Sequence, residues 1–166
     1  MKIISNNKIE KKRAKTPHEI FTLNTAILHL FLPASMLKFG DPALTISLPI
    51  FLSIFIIIWT YFRTKKAHKN DSLLEKIHWQ ISLNRYKPLI GAYIFYFAVI
   101  LVAKLVFADA AVDMNGENLM ENVFLILAVV PLFMVVFLSV LLGSGSIFNA
   151  GRGEVPIKLL AKYNDT

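Results

Sequence analysis

The sequence contains no cysteine. Disulfides, thiolate metal sites and thiol redox relays are excluded, and with them the quinone-linked, disulfide-forming class of four-helix membrane enzymes. Acidic residues are scarce, eleven against eighteen lysines and arginines, and within the apolar stretches the only one is Glu19, at the very start of the first. A carboxylate at mid-depth, which a proton-coupled exporter uses to carry its proton, is therefore missing. So are HExxH, GxSxG, paired metal-ligand histidines and a carboxylate pair. Gly143-Ser144-Gly145 and Gly151-Arg152-Gly153 resemble a phosphate loop only in their glycines. They follow an apolar run rather than a strand, lack the Gly-Lys-Ser/Thr ending, and read as a flexible exit from the last helix.

What the chain does have is hydrocarbon. Of 166 residues 55% are apolar and only 17% charged, more apolar side chains than one soluble core of this size would use, so a single lipid-facing domain is expected. Four apolar stretches carry the excess: residues 17–37, 43–62, 88–108 and 122–142. At about 1.5 Å rise per residue, twenty residues cross roughly 30 Å of hydrocarbon. The first stretch is the most polar, holding His18, Asn24, His29 and Pro33.

The connecting segments supply helix ends. Residues 1–16 carry six basic side chains and one acid, Glu10, and read as a basic tail in solvent or at the headgroups. Thr16-Pro17-His18-Glu19 has the form of a capping box with proline at the first helical position, so the first helix is expected to begin there, with a kink at Pro33. Lys38-Phe39-Gly40-Asp41-Pro42 reads as a tight turn that makes the first two helices a hairpin. Trp59, Tyr61 and Phe62 form an aromatic cluster of the kind found at headgroup level. Ser72 and Glu75 form a second capping box, predicting a short helix over residues 73–86 along the membrane surface, after which Pro88 opens the third crossing. Pro156 is expected to start a short helix directing Ile157, Leu159 and Leu160 toward lipid or a partner.

Charge gives orientation, because lysine and arginine near helix ends stay on the cytoplasmic side. Residues 63–87 hold seven basic and two acidic side chains, while residues 109–121 hold four acids, Asp109, Asp113, Glu117 and Glu121, and no base. Residues 143–166 lean basic, with Arg152, Lys158 and Lys162 against Glu154 and Asp165. If residues 17–37 lay flat, the basic tail would fall opposite the basic 63–87 connector, against the rule. Four crossings put both on one side and both termini inside. The basic blocks adjoin apolar segments, which points to anionic lipid headgroups and not to nucleic acid.

Few residues are candidates for chemistry. Lys104 is the one charge well inside an apolar run, about four residues from its outer end, where it can snorkel outward and meet Asp109 or another acid of the loop. His18, Thr22, Thr25 and His29 follow i, i+4, i+7 and i+11, one stripe of a helix with Asn24 beside it, and such a stripe must face protein or water. His29 is the candidate haem contact. His18 and His29 are about 16 Å apart along a helix and cannot share one iron, so haem or quinone would need a partner subunit. Thr45, Pro49 and Ser53 share a face of the second helix, which suits packing around a proline.

The expected architecture is an all-α integral membrane protein: four transmembrane helices as two hairpins, a cytoplasmic interfacial helix between the second and third, and cytoplasmic tails over residues 1–16 and 143–166. The expected role is a non-catalytic accessory or assembly subunit of a larger complex in a bacterial inner membrane, without a cofactor of its own. The alternatives are a homo-oligomeric small transporter or channel, and a haem- or quinone-associated anchor of a redox enzyme.

Overall fold

A computed structural model describes residues 1–36, 42–107 and 119–164. Within these the chain is almost entirely helical. Helix α1 spans Lys8–Leu23, a π-helical segment follows over Asn24–Phe31, and α2 covers Leu32–Met36. Three long helices come next, α3 over Pro42–Asn70, α4 over Leu73–Phe107 and α5 over Leu119–Arg152. A short α6, Ile157–Asn164, ends the described chain. Two strands, β1 (Lys2–Ile3) and β2 (Glu154–Val155), pair antiparallel with Lys2 opposite Val155. Helices α3, α4 and α5 are long and apolar enough to cross a membrane. The expected turn at residues 38–42, the acidic linker at 109–121 and the Lys104–Asp109 pair lie wholly or partly outside the described residues.

The chain divides into two compact units, Met1–Tyr86 with Ser139–Thr166, and Lys87–Leu138. The second unit consists of the continuations of α4 and α5. The first contains both ends of the chain, the two histidines His18 and His78, and the end of α3.

Several helix ends differ from the sequence expectation. The first helix starts at Lys8, nine residues before Pro17. Asn7 caps it by accepting from the backbone N–H of Ile9 at 2.9 Å, and Glu10 in the first turn accepts from Ser5 Oγ at 2.6 Å. A carboxylate there also favours the positive end of the helix dipole. Pro17 thus sits inside α1, which tolerates it because Ala14, Pro17, His18 and Phe21 form a buried stripe whose packing outweighs one lost backbone bond. Residues 1–16 are accordingly folded, not a free tail.

The connector also differs. No separate surface helix precedes the apolar run at residues 88–108; α4 runs unbroken from Leu73 through Pro88 to Phe107. The Ser72–Glu75 box does cap it, with Glu75 N–H on Ser72 Oγ at 3.4 Å and Ser72 Oγ on Glu75 Oε1 at 3.3 Å. Leu74, Ile77, Trp79, Ser82 and Tyr86 are buried, so the amphipathic start of α4 faces protein rather than headgroups. Helix α5 likewise continues ten residues past 142, through Gly143, Gly145 and Gly151, to Arg152.

The reason lies in a row of small residues. Ser139, Gly143, Ser146 and Ala150 recur at spacings of four, three and four and are buried, the pattern that lets helix backbones approach closely. A Cβ on Gly143 would collide with Thr22, and one on Gly151 with the Lys15 side chain, which places α1 directly along this row. Ala14 and Ala150 meet Leu74, Ile77, Val155 and Leu160 in one core. Leu160 therefore faces the protein, while Ile157 is exposed. The chain turns out of α5 at Gly153, whose φ of +75° only glycine adopts without strain. Its carbonyl accepts from Ile4 N–H at 3.0 Å, tying the two termini together.

The π segment has a local cause. Pro33 follows it closely, and a proline ring crowds the carbonyl four residues earlier, here that of His29. Widening the turn so that Leu32 N–H reaches the Ile27 carbonyl, five residues back, relieves the crowding. Both the π segment and α2 pack on α3.

Candidate functional site

The most distinctive polar cluster joins α1, α4 and β2. His18 is buried on the inner stripe of α1 and His78 on the first turns of α4, and their imidazoles meet edge to face with Nε2 of His18 2.8 Å from Nδ1 of His78. His78 Nε2 lies 3.1 Å from the Glu154 carbonyl oxygen. A carbonyl only accepts, so His78 donates from Nε2. In a neutral ring its Nδ1 is then the acceptor, and His18 must donate from Nε2. The result is a directed chain, His18 to His78 to Glu154. Ser82 Oγ donates to the Pro17 carbonyl at 2.8 Å one turn further along α4.

The separation also decides what the pair is not. Two imidazoles on one metal have their nitrogens roughly 3.3–4 Å apart, because each bond to the metal is about 2 Å long. At 2.8 Å the nitrogens share a proton. Among the described residues no group of three or more histidines and carboxylates is placed to hold a metal.

Around this chain the remaining contacts close the cluster. Arg85 donates to the Leu142 carbonyl. Phe21 packs edge to face on Tyr86 at 4.9 Å between ring centres. The Glu154 carboxylate pairs with Arg152 at 2.9 Å, whose guanidinium lies 5.5 Å over the Phe148 ring. His18 Nδ1 finds no partner among the described residues.

The polar residues expected to form one stripe of the first helix make different contacts, and Thr25 and His29 lie in the π-helical segment. Asn24 donates from Nδ2 to Ser53 Oγ on α3 at 2.8 Å, a bond between helices. Thr25 turns its hydroxyl back to the Phe21 carbonyl at 2.9 Å. His29 donates from Nδ1 to the Asn24 carbonyl at 3.2 Å, within its own helix, where the π turn leaves backbone acceptors wide of their usual partners. His18 and His29 are not brought together, and the haem contact suggested for His29 receives no second imidazole from this chain. Lys104 is exposed in the last turn of α4. Thr45 and Ser53 are buried with Pro49 on one face of α3.

Sequence reasoning missed His78, Ser82 and Glu154. His18 and His78 are sixty residues apart, and no spacing rule joins two histidines on different helices. A faint signal existed: His78 sits between Leu74 and Ser82 at helical spacing, the stripe that becomes the buried side of α4.

A second polar group gathers where α3 leaves the apolar region. Arg63 pairs with Asp71 at 2.7 Å and lies 4.8 Å over the Trp79 ring, which in turn meets Trp59. His68 donates from Nδ1 to the Thr64 carbonyl at 2.8 Å and accepts at Nε2 from the Tyr163 hydroxyl at 2.7 Å. Partial burial raises the Tyr163 phenol above its ordinary pKa, which keeps it the donor at neutral pH.

Comparison with family models, curated proteins and solved structures found no match. The functional reading therefore rests on geometry.

Proposed function

We propose that this chain is a non-catalytic accessory or assembly subunit of a larger bacterial inner-membrane complex, crossing the membrane four times with both termini in the cytoplasm. The observation that carries the reading is how its buried polar groups are used. Asn24 is bonded to Ser53, and His18 to His78 and the Glu154 carbonyl. These bonds fasten separate elements of the chain to one another. The apolar windows of α3, α4 and α5 are only 33%, 28% and 22% buried within the chain, leaving long sides for lipid and neighbouring subunits.

Two contacts support a crossing by the first helix. Phe21 lies beside Tyr86, just before the apolar part of α4 begins, and Asn24 lies beside Ser53, midway along the apolar part of α3. Continuing through α2, which also packs on α3, the helix would reach the far side near residue 37. The positively charged ends of α3 and α4 would then share the cytoplasm with the folded termini.

Reporters active only in the cytoplasm test the orientation: fusions at the N-terminus and at Asn70 should both be active, and one at Gly116 silent. Extraction in mild detergent tests the role. The chain is expected to migrate with other membrane proteins; a lone chain or homo-oligomer that moves a solute across liposomes would overturn the reading in favour of a transporter.

A further inference from the structure

A groove of about 690 Å³ opens between the end of α3 and the start of α4, lined by Tyr61, Lys65, Lys66, Lys69, Gln80 and Leu83 with the His68 wall beside them. Its position follows from the sequence of α3. The apolar run ends at Phe62, so the groove begins at the aromatic belt and extends one to two turns into water.

The charges in it are not all alike. Arg63, the first base after the belt, is withdrawn by Asp71 and Trp79. The His68 ring has both nitrogens engaged by Thr64 and Tyr163. That leaves Lys65, Lys66 and Lys69, which form no ion pair among the described residues. Lys65 and Lys69 are one turn apart and Lys66 is beside them, so three ammonium groups face one opening. Lys65 Nζ sits 4.6 Å over the Tyr61 ring, anchored at headgroup depth. Beneath the charges the lining is apolar, from Tyr61, Leu83 and the lysine stems themselves.

Three cations over an apolar floor, at the water edge of a membrane helix, suit a ligand with phosphate charge at one end and hydrocarbon at the other. We infer that this groove is a discrete binding site for an anionic phospholipid of the inner leaflet, its phosphate held by Lys65, Lys66 and Lys69 and its glycerol end against Tyr61 and Leu83. The site rests on the proposed orientation, with α3 crossing the membrane and ending in the cytoplasm, but not on the chain working as a subunit. A soluble phosphate would use the lysines and gain nothing from the floor.

The test uses the full chain purified in detergent and native mass spectrometry with phosphatidylglycerol, phosphatidylcholine of the same acyl chains, and inorganic phosphate. Wild type should retain one phosphatidylglycerol, at least tenfold more tightly than phosphatidylcholine. The triple variant Lys65→Gln/Lys66→Gln/Lys69→Gln should lose that preference, roughly a hundredfold weakening at low salt if each lysine contributes about fivefold. A charge-matched control, Lys8→Gln/Lys12→Gln/Lys158→Gln, should keep it. Gln80→Glu, which sets a carboxylate opposite the lysines while leaving them in place, should weaken retention severalfold and guards against misfolding of the triple variant.

Equal loss in the control would reduce the effect to general charge and overturn a discrete site. Unchanged retention in both groove variants would overturn it as well, and displacement of the lipid by micromolar inorganic phosphate would reassign the groove to a soluble anion. Recovery of the chain in alkali-washed membranes checks the membrane reading separately.

Discussion

His18 Nε2 and His78 Nδ1 stand 2.8 Å apart across sixty residues of sequence. Together with the Glu154 carbonyl they join the first helix, the start of α4 and the strand after α5 through one chain of hydrogen bonds. Each link depends on the next, because His78 can accept from His18 only while it donates to Glu154.

Replacing His78 by Phe should therefore cost more than one hydrogen bond. It leaves the His18 donor and the Glu154 acceptor buried without partners, each worth about 1–3 kcal/mol. His18→Leu in the same background should recover part of the loss, because the stranded donor is gone. Unfolding of the four proteins of this double-mutant cycle in denaturant and mild detergent measures the coupling, expected in the range of about 0.5–3 kcal/mol.

Gly143→Ala should destabilise the chain by about 1–3 kcal/mol, since its new methyl would meet the Thr22 side chain. Thr22→Ala should rescue it. Gly145→Ala meets nothing within 4 Å and should be neutral or stabilise by up to about 1 kcal/mol, as expected for alanine in a helix. Thermal midpoints of the three variants separate a packing role for Gly143 from a flexible exit.

Gly153→Ala should loosen the junction of the two termini. The residue has φ of +75°, and a Cβ there would strike the Ser5 carbonyl. The left-handed conformation alone costs a non-glycine residue about 1–2 kcal/mol. Limited trypsin digestion should then cut at Lys8, Lys11 or Lys12 faster than in wild type, with the long helices still protected.

Ser53→Ala removes the acceptor that Asn24 uses on α3. Interhelical bonds of this kind average about 0.6 kcal/mol and reach about 1.7. A modest loss is expected, and Asn24→Leu should show a similar one. Lys104→Met should by contrast leave insertion and stability unchanged, because the side chain is exposed. A large defect in that variant would point to a contact for Lys104 with another subunit.

Much of the frame is legible from local chemistry. The runs of Leu, Ile, Val and Phe in residues 43–62, 88–107 and 122–142 specify long helices whatever surrounds them, because nothing else satisfies the backbone in hydrocarbon. The Ser72–Glu75 cap is a contact between residues three apart, so it too could be read directly. Where the helices stop was harder. Pro17 and Pro88 look like first residues because proline lacks an N–H, and Gly143 and Gly145 look like an exit because glycine is permissive. Each of these positions lies inside a helix, since buried neighbours such as Phe21, Tyr86 and Ala150 return more than a single lost bond or a glycine's entropy costs.

The sequence by itself determined which segments are apolar and which connecting segments carry the basic and acidic charge, since hydropathy and charge are properties of each residue wherever it folds. Only the tertiary structure decided that both termini meet in one folded unit, that His18 finds His78, and that Lys65, Lys66 and Lys69 share a groove with Gln80. Those pairings depend on the relative rotation and height of separate helices. Side-chain packing at positions such as Gly143 and Thr22 sets these, and no spacing along a single helix records them.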